Sequence, residues 1–216
     1  MMQPRGFVVA LLLAATSACT GPPQASPPPE TPASAPPAAD TEARVEDPPD
    51  AAKGSLYDLP VTLTDQDGRG VKIDVHRGRP VVVSMFYASC PAACPTLIAD
   101  LRKVDARLSP AERERVRILL ISMDPAKDSP ESFRTLAGLH GLDLSRWTLG
   151  LARESDVRMV AAALDIKYRL LPDGNISHST VITILRDDGG IDLQVEGLGR
   201  DNGDIVARLK ELAPTR

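Results

Sequence analysis

The run Val81-Val82-Val83-Ser84-Met85-Phe86 limits the fold more than any other part of this sequence. Nearly continuous apolar character with three β-branched residues in succession suits a strand covered on both faces, and such a strand needs a sheet with helices packed over it. Directly after it come Tyr87-Ala88-Ser89-Cys90-Pro91-Ala92-Ala93-Cys94-Pro95, and then Leu97, Ile98, Leu101, Val104 and Leu108 at near-helical spacing. A C-x-x-x-C pair is thus delivered from a strand end to a helix start. Helix N-termini expose N–H groups and positive dipole, which favour thiolate over thiol, so the cysteine pKa values are expected below their usual value of about 8.5. Pro95 has no N–H and fits a first helical turn, which puts Cys94 at or near the N-cap and Cys90 in the turn above it.

Spacing bears on the chemistry of the pair. Residues four apart on a helix have Cβ atoms about 5–6 Å apart, whereas a relaxed disulfide wants about 3.5–4.5 Å. A metal ion with bonds of about 2.3 Å to each sulfur lets the sulfurs stand up to about 4.6 Å apart. Metal binding is geometrically natural, and reversible oxidation is open at a cost in strain. A purely structural disulfide is the bland alternative, but so short a loop gains little from being closed.

The rest of the chain frames that junction. Val61 to Thr64 and Val71 to Asp74 alternate apolar and polar around a turn containing Gly68, a hairpin pattern. Val116 to Ser122 reads as a second buried strand, Ser129-Pro130 opens a helix to Leu139, Trp147 to Leu151 is a short strand and Glu154 to Leu164 a helix. Val181 to Leu185 and Ile191 to Val195 form a hairpin through Asp187-Asp188-Gly189-Gly190, and Asp201 to Leu212 closes the chain as a helix. The predicted fold class is α/β and thioredoxin-like: a central mixed sheet flanked by helices, with an N-terminal β-hairpin and an antiparallel hairpin last.

Three segments are expected. Residues 1–19 read as an export signal, with Arg5 followed by an apolar run from Phe7 to Ala15 that is too short to span a bilayer. Thr16-Ser17-Ala18 before Cys19 suggests a bacterial lipoprotein signal in which Cys19 is acylated, with simple cleavage or an uncleaved anchor as the alternatives. Residues 20–53 are rich in proline and alanine and poor in large apolar side chains, the composition of a disordered spacer. Residues 54–216 form the folded domain. The net charge of -4, with no basic run and no phosphate-binding glycine loop, gives no support for a nucleic-acid partner. A protein or a small ion fits better.

Three ordered motifs carry a more specific likeness. The segment Tyr87 to Pro95, the segment Ser122-Met123-Asp124-Pro125-Ala126-Lys127-Asp128-Ser129-Pro130, and His178-Ser179 before a strand together resemble the Sco/SenC family of copper-binding, thioredoxin-like proteins. The likeness runs from about Leu56 to the C-terminus. It implies an exported domain tethered at the outer face of a bacterial membrane that binds copper through Cys90, Cys94 and His178. It also implies a metallochaperone role, assisting assembly of the binuclear copper centre of cytochrome c oxidase, with the copper-bearing oxidase subunit and another periplasmic copper chaperone as partners. Soft thiolates prefer Cu(I) and imidazole accepts Cu(I) or Cu(II), so such a site could hold both oxidation states.

Other functions compete. Cys90 and Cys94 could cycle between dithiol and disulfide as a thiol–disulfide oxidoreductase that reduces the oxidase's copper-ligand cysteines, and a peroxidase of the same fold is a third reading. Without its motif context His178 would be taken as a solvent-facing or structural loop residue. Asp124, at the end of a central strand, is expected either behind the ligands or as a contact for a partner. Asp128 could cap the next helix. His76 and His140 are expected on the surface, and Met85, Met123 and Met159 in the core.

Overall fold

In the computed structural model, residues 54–90 and 93–214 are described. The predicted segments 1–19 and 20–53, with Cys19, lie outside them. The apolar run forms β3 (Val81–Phe86), in which every residue is buried. It is an interior strand of a sheet that also contains β1 (Thr62–Asp65), β2 (Gly70–Lys72), β4 (Arg117–Ser122), β5 (Trp147–Leu151), β8 (Val181–Leu185) and β9 (Ile191–Glu196). The order is β2-β1-β5-β4-β3-β8-β9. Strands β3, β4 and β5 pair in parallel, while β8 and β9 continue antiparallel on one side and β1 and β2 on the other. This is the mixed thioredoxin-like sheet with an N-terminal hairpin that the sequence pattern predicts.

The helices follow their sequence signals. The helix after the cysteines is α1 (Ala93–Ala106), which buries Leu97, Ile98, Leu101 and Val104. A short α2 (Pro110–Arg115) has no counterpart in the hydrophobic pattern because none of its residues is buried. It is set locally instead, by Ser109 and Glu112 in a capping box with Pro110 in the first turn. α3 (Pro130–His140) begins at Ser129, whose hydroxyl accepts from the Ser132 N–H, and ends at Gly141 in the left-handed region with φ 59°. α4 (Glu154–Ala163) and α5 (Gly203–Leu212) complete the set.

Phe86 and Phe133 meet with ring centroids 5.4 Å apart, which locks the end of β3 to α3. Full burial of a Phe side chain is worth roughly 2–3 kcal/mol.

One element pair was not legible in the sequence. Strands β6 (Tyr168–Leu170) and β7 (Ile176–His178) form a separate two-stranded antiparallel sheet, inserted before β8. Three residues per strand are too few to show a period. Among the described residues no helix is long and apolar enough to cross a membrane.

Candidate metal centre

The chain leaves β3 at Phe86 and turns at once, with the Cys90 N–H donating to the Tyr87 carbonyl at 3.2 Å. Cys90 and Cys94 are both buried, at 8% and 2% exposure, and both sulfurs stand as thiols. Two backbone donors are directed at them: the Cys94 N–H lies 3.3 Å from Cys90 Sγ, and the Tyr87 N–H 3.5 Å from Cys94 Sγ. The expectation of lowered cysteine pKa values does not hold for Cys94. Burial pushes its thiol well above the usual range, the Tyr87 N–H offsets this only in part, and the neighbouring Cys90 sulfur and Asp128 carboxylate push it further. Desolvation outweighs the helix dipole at a site this dry. Cys94 also lies inside the first turn of α1 instead of capping it, since the helix is described from Ala93.

A carboxylate braces the cysteine turn. Asp128 accepts from the Ala88 N–H at 3.1 and 3.0 Å and from the Ser122 hydroxyl at 2.6 Å. The predicted role of Asp128 as a helix cap is therefore corrected: Ser129 caps α3, and Asp128 ties the end of β4 to the cysteine loop. Asp124 is buried nearby, with Lys127 Nζ 3.6 Å from its Oδ2, too far for a hydrogen bond.

His178 ends β7, half-buried. Its ring stands edge-on to that of Tyr87, with centroids 6.0 Å apart. Its Nδ1 lies 2.9 Å from the Ser179 carbonyl oxygen. A carbonyl can only accept, so Nδ1 carries a proton, and in the neutral ring Nε2 then holds the lone pair. That is the tautomer a metal-ligating histidine needs, with its other nitrogen tied to a backbone carbonyl. Tyr87 joins the two halves: its hydroxyl interacts with Cys90 and also points at the Ile176 carbonyl at 3.4 Å. Burial first, and then the Cys90 interaction, push its pKa up to about 12, so it stays a neutral donor. As the side chains stand, no three His, Cys, Asp or Glu among the described residues are grouped closely enough to hold a metal ion. The histidine is brought to the same corner as the sulfurs, with Tyr87 between them.

A family model described as SCO1/SenC matches residues 49–213, about three quarters of the sequence. The chain belongs to the SCO1/SenC family. A Stutzerimonas stutzeri protein named for copper binding is 24% identical over 149 residues, 64% of this chain and 71% of that protein. The solved structure of Bradyrhizobium japonicum ScoI with copper bound superimposes with a TM-score of 0.61 at 22% identity, covering 74% of this chain and 99% of that one. BsSco, described as a member of the Sco family of cytochrome c oxidase assembly proteins with a disulfide switch, gives 0.62 at 22%, covering 76% and 98%. These two structures share the SCO1/SenC fold with this chain.

Within this SCO1/SenC chain the remaining predicted residues sort as follows. Met85 and Met123 are buried, as expected, but Met159 is 37% exposed on α4. The spacing that suggested the core belongs to its neighbours Val157 and Val160. His140 ends α3, half-buried. His76 departs from the expected surface position: it is half-buried, its Nε2 sits 3.0 Å from the Thr148 hydroxyl, and burial with the nearby Arg117 and Arg79 lowers its pKa to about 4. Two participants went unseen in the sequence. Tyr87 and Lys127 stand in the sequence only as members of the first two motifs, with no role of their own. Lys127 Nζ in fact donates to the Gly174 carbonyl at 2.5 Å, fastening the β6–β7 turn to the loop after β4.

Proposed function

We propose that this SCO1/SenC protein is a copper metallochaperone whose cargo is held by Cys90, Cys94 and His178, and that it assists assembly of the binuclear copper centre of cytochrome c oxidase. The observation that carries the reading is the corner itself. Two buried thiols and an imidazole flank Tyr87 without closing on one point as the side chains stand, and together they are a donor set that suits copper in either oxidation state. Relatives named for copper binding or solved with copper bound support the metal, and BsSco supports the oxidase.

The elevated Cys94 pKa gives the thiol a way to wait. At neutral pH it keeps its proton and is a poor nucleophile, so it resists adventitious oxidation. Binding a soft metal ion expels thiol protons and replaces them with metal–sulfur bonds, so uptake releases protons to solvent. His178, on a hairpin outside the main sheet, is the ligand free to leave first when copper passes to the next protein. Residues 1–19 with Cys19 as lipid anchor, and residues 20–53 as spacer, would hold the domain at the outer face of a bacterial membrane.

The thiol–disulfide reading stays beside this one because the Cys94 N–H already rests on Cys90 Sγ, which keeps the two residues in contact. Titration of the reduced protein with Cu(I) and Cu(II), alongside turnover of a disulfide substrate, separates them. One equivalent of copper, lost on replacing either cysteine by serine and weakened by His178→Ala, is the expected result. No copper uptake together with rapid disulfide turnover would overturn it.

A further inference from the structure

A groove of about 320 Å³ opens between the β6–β7 hairpin and the loop from β4 to α3. Met123, Pro125, Val157, Tyr168, Leu170 and Ile176 supply apolar walls. In the hairpin register Leu170 lies opposite Ile176 and Tyr168 opposite His178. Directly opposed residues share a face, as do residues two apart along a strand. Leu170, Ile176, Tyr168 and His178 therefore face the same way, and the groove leads along the hairpin to the histidine. Leu170, at 71% exposure, is a large apolar side chain held in water at its edge.

The polar lining has a definite sign. Asp124 lines the groove at 6% exposure; its Oδ2 accepts no hydrogen bond, and its nearest described cation is Lys127 Nζ at an ion-pair distance of 3.6 Å. Among the described residues Lys127 is the only cation on the lining, and its hydrogen bond goes to the Gly174 carbonyl. Glu154 adds a second carboxylate. A buried carboxylate oxygen that accepts no hydrogen bond and shares its loose ion-pair partner with a backbone carbonyl, with a second carboxylate beside it and apolar walls around, fits a ligand that brings both apolar surface and a cationic donor.

We infer that this groove docks an extended apolar segment of a partner protein that carries an arginine or lysine, its apolar side chains against Leu170, Ile176 and Val157 and its cation on Asp124. Residues 20–53 of this chain have the wrong charge for it, since Arg44 and Lys53 are their only basic residues against six carboxylates. Because the groove shares a face with His178, the segment belongs to the protein that exchanges copper with the site. That choice of owner rests on the copper reading; the docking itself does not.

Blocked pentapeptides Ac-Ala-Leu-X-Leu-Ala-NH₂, with X arginine, alanine or glutamate, are the probes, titrated into the metal-free full chain and followed by methyl NMR. Shifts should fall on Leu170, Ile176 and Val157, with the arginine peptide about ten-fold tighter than the glutamate one. Asp124→Asn should remove most of that preference, while Leu170→Ser should weaken all three peptides. Equal binding of the arginine and glutamate peptides, a preference untouched by Asp124→Asn, or shifts mapping elsewhere would overturn the proposal. So would a concentration-dependent dimer dissolved by Leu170→Ser, which would make a second copy the occupant. The same titration in Cys90→Ser/Cys94→Ser chain needs no copper chemistry, so failure of the copper reading leaves its outcome unchanged.

Discussion

The cysteine turn and the histidine hairpin meet at one corner but are built by opposite means. The turn grows out of β3, the most deeply buried strand, and its backbone is tied to β4 through Asp128 and to its own sulfurs through the Tyr87 and Cys94 N–H groups. The hairpin has three residues in each strand, stands outside the main sheet, and is fastened by Lys127 at its turn and by the long Tyr87 hydroxyl contact to Ile176. An isolated two-stranded hairpin is marginal in water. A site assembled this way has one half set before any ligand arrives and one half that can open at small cost, which is what hand-over requires.

The sharpest break of that contrast comes from Asp128→Ala. It strips the partner from the Ala88 N–H and the Ser122 hydroxyl, both near the cysteine turn. Charge-assisted bonds contribute roughly 1.5–3 kcal/mol each, so a global loss of about 3 kcal/mol is expected in urea unfolding. A loss below about 1 kcal/mol would mean the turn holds its shape without this brace.

Lys127→Ala should act chiefly on the other half, its effect on Asp124 and Asp128 being through charge alone. The side chain is 50% exposed, so its contact with Gly174 is discounted for screening and the expected cost is about 0.5–1 kcal/mol, confined to the hairpin. Amide exchange should quicken a few-fold at Leu171 and Gly174, whose N–H groups close the hairpin turn, while β3 amides stay as protected as before. Equal acceleration in β3 would show that the hairpin opens only with the whole domain.

Tyr87→Phe tests the link between the halves. It removes the hydroxyl that interacts with Cys90 and reaches Ile176, a bond long enough that about 0.5–1 kcal/mol is at stake. Stability should fall slightly, and the thiol absorbance titration of Cys90 and Cys94 should move. An unmoved titration would mean the phenol only fills space.

What the sequence made legible followed the same division. The period-free apolar run, the Ser129-Pro130 cap and the Asp-Gly turn each have a local cause, so β3, α3 and the β8–β9 hairpin could be read without the fold. His178 could be singled out only by its likeness to a family motif. Its setting depends on a pairing between Tyr168 and His178 across a turn that no short-range pattern announces. Cys94 failed in the instructive direction: helix start and dipole are visible in sequence, but the burial that reverses their effect belongs to the packed core. Asp124 could be placed near the site by its strand end, but its setting and the contact of Lys127 with the β6–β7 turn lie across elements and were not legible.

The smallest effect separates the halves by acid. Asp173, in the β6–β7 turn, accepts from the Asn175 backbone N–H at 2.9 Å and from its side chain, and these bonds lower its pKa. A lowered carboxylate pKa adds stability above the ordinary value of 3.8, which is lost as pH falls through the depressed one, because protonation removes the acceptor. Asp128 runs the other way: burial raises its pKa, so the cost of burying its charge is absent below 3.8 and is incurred as pH rises through the elevated value, set against the bonds its carboxylate accepts. On acidification the hairpin should loosen, while protonation of Asp128 relieves the cost of its buried charge. In amide NMR from pH 6 to about 2.5, Asn175 should titrate with a midpoint below the ordinary aspartate value, and Ala88 with one above it. Asp173→Asn should abolish only the first transition. Midpoints in the reverse order would erase the electrostatic half of the contrast and leave only the difference in burial.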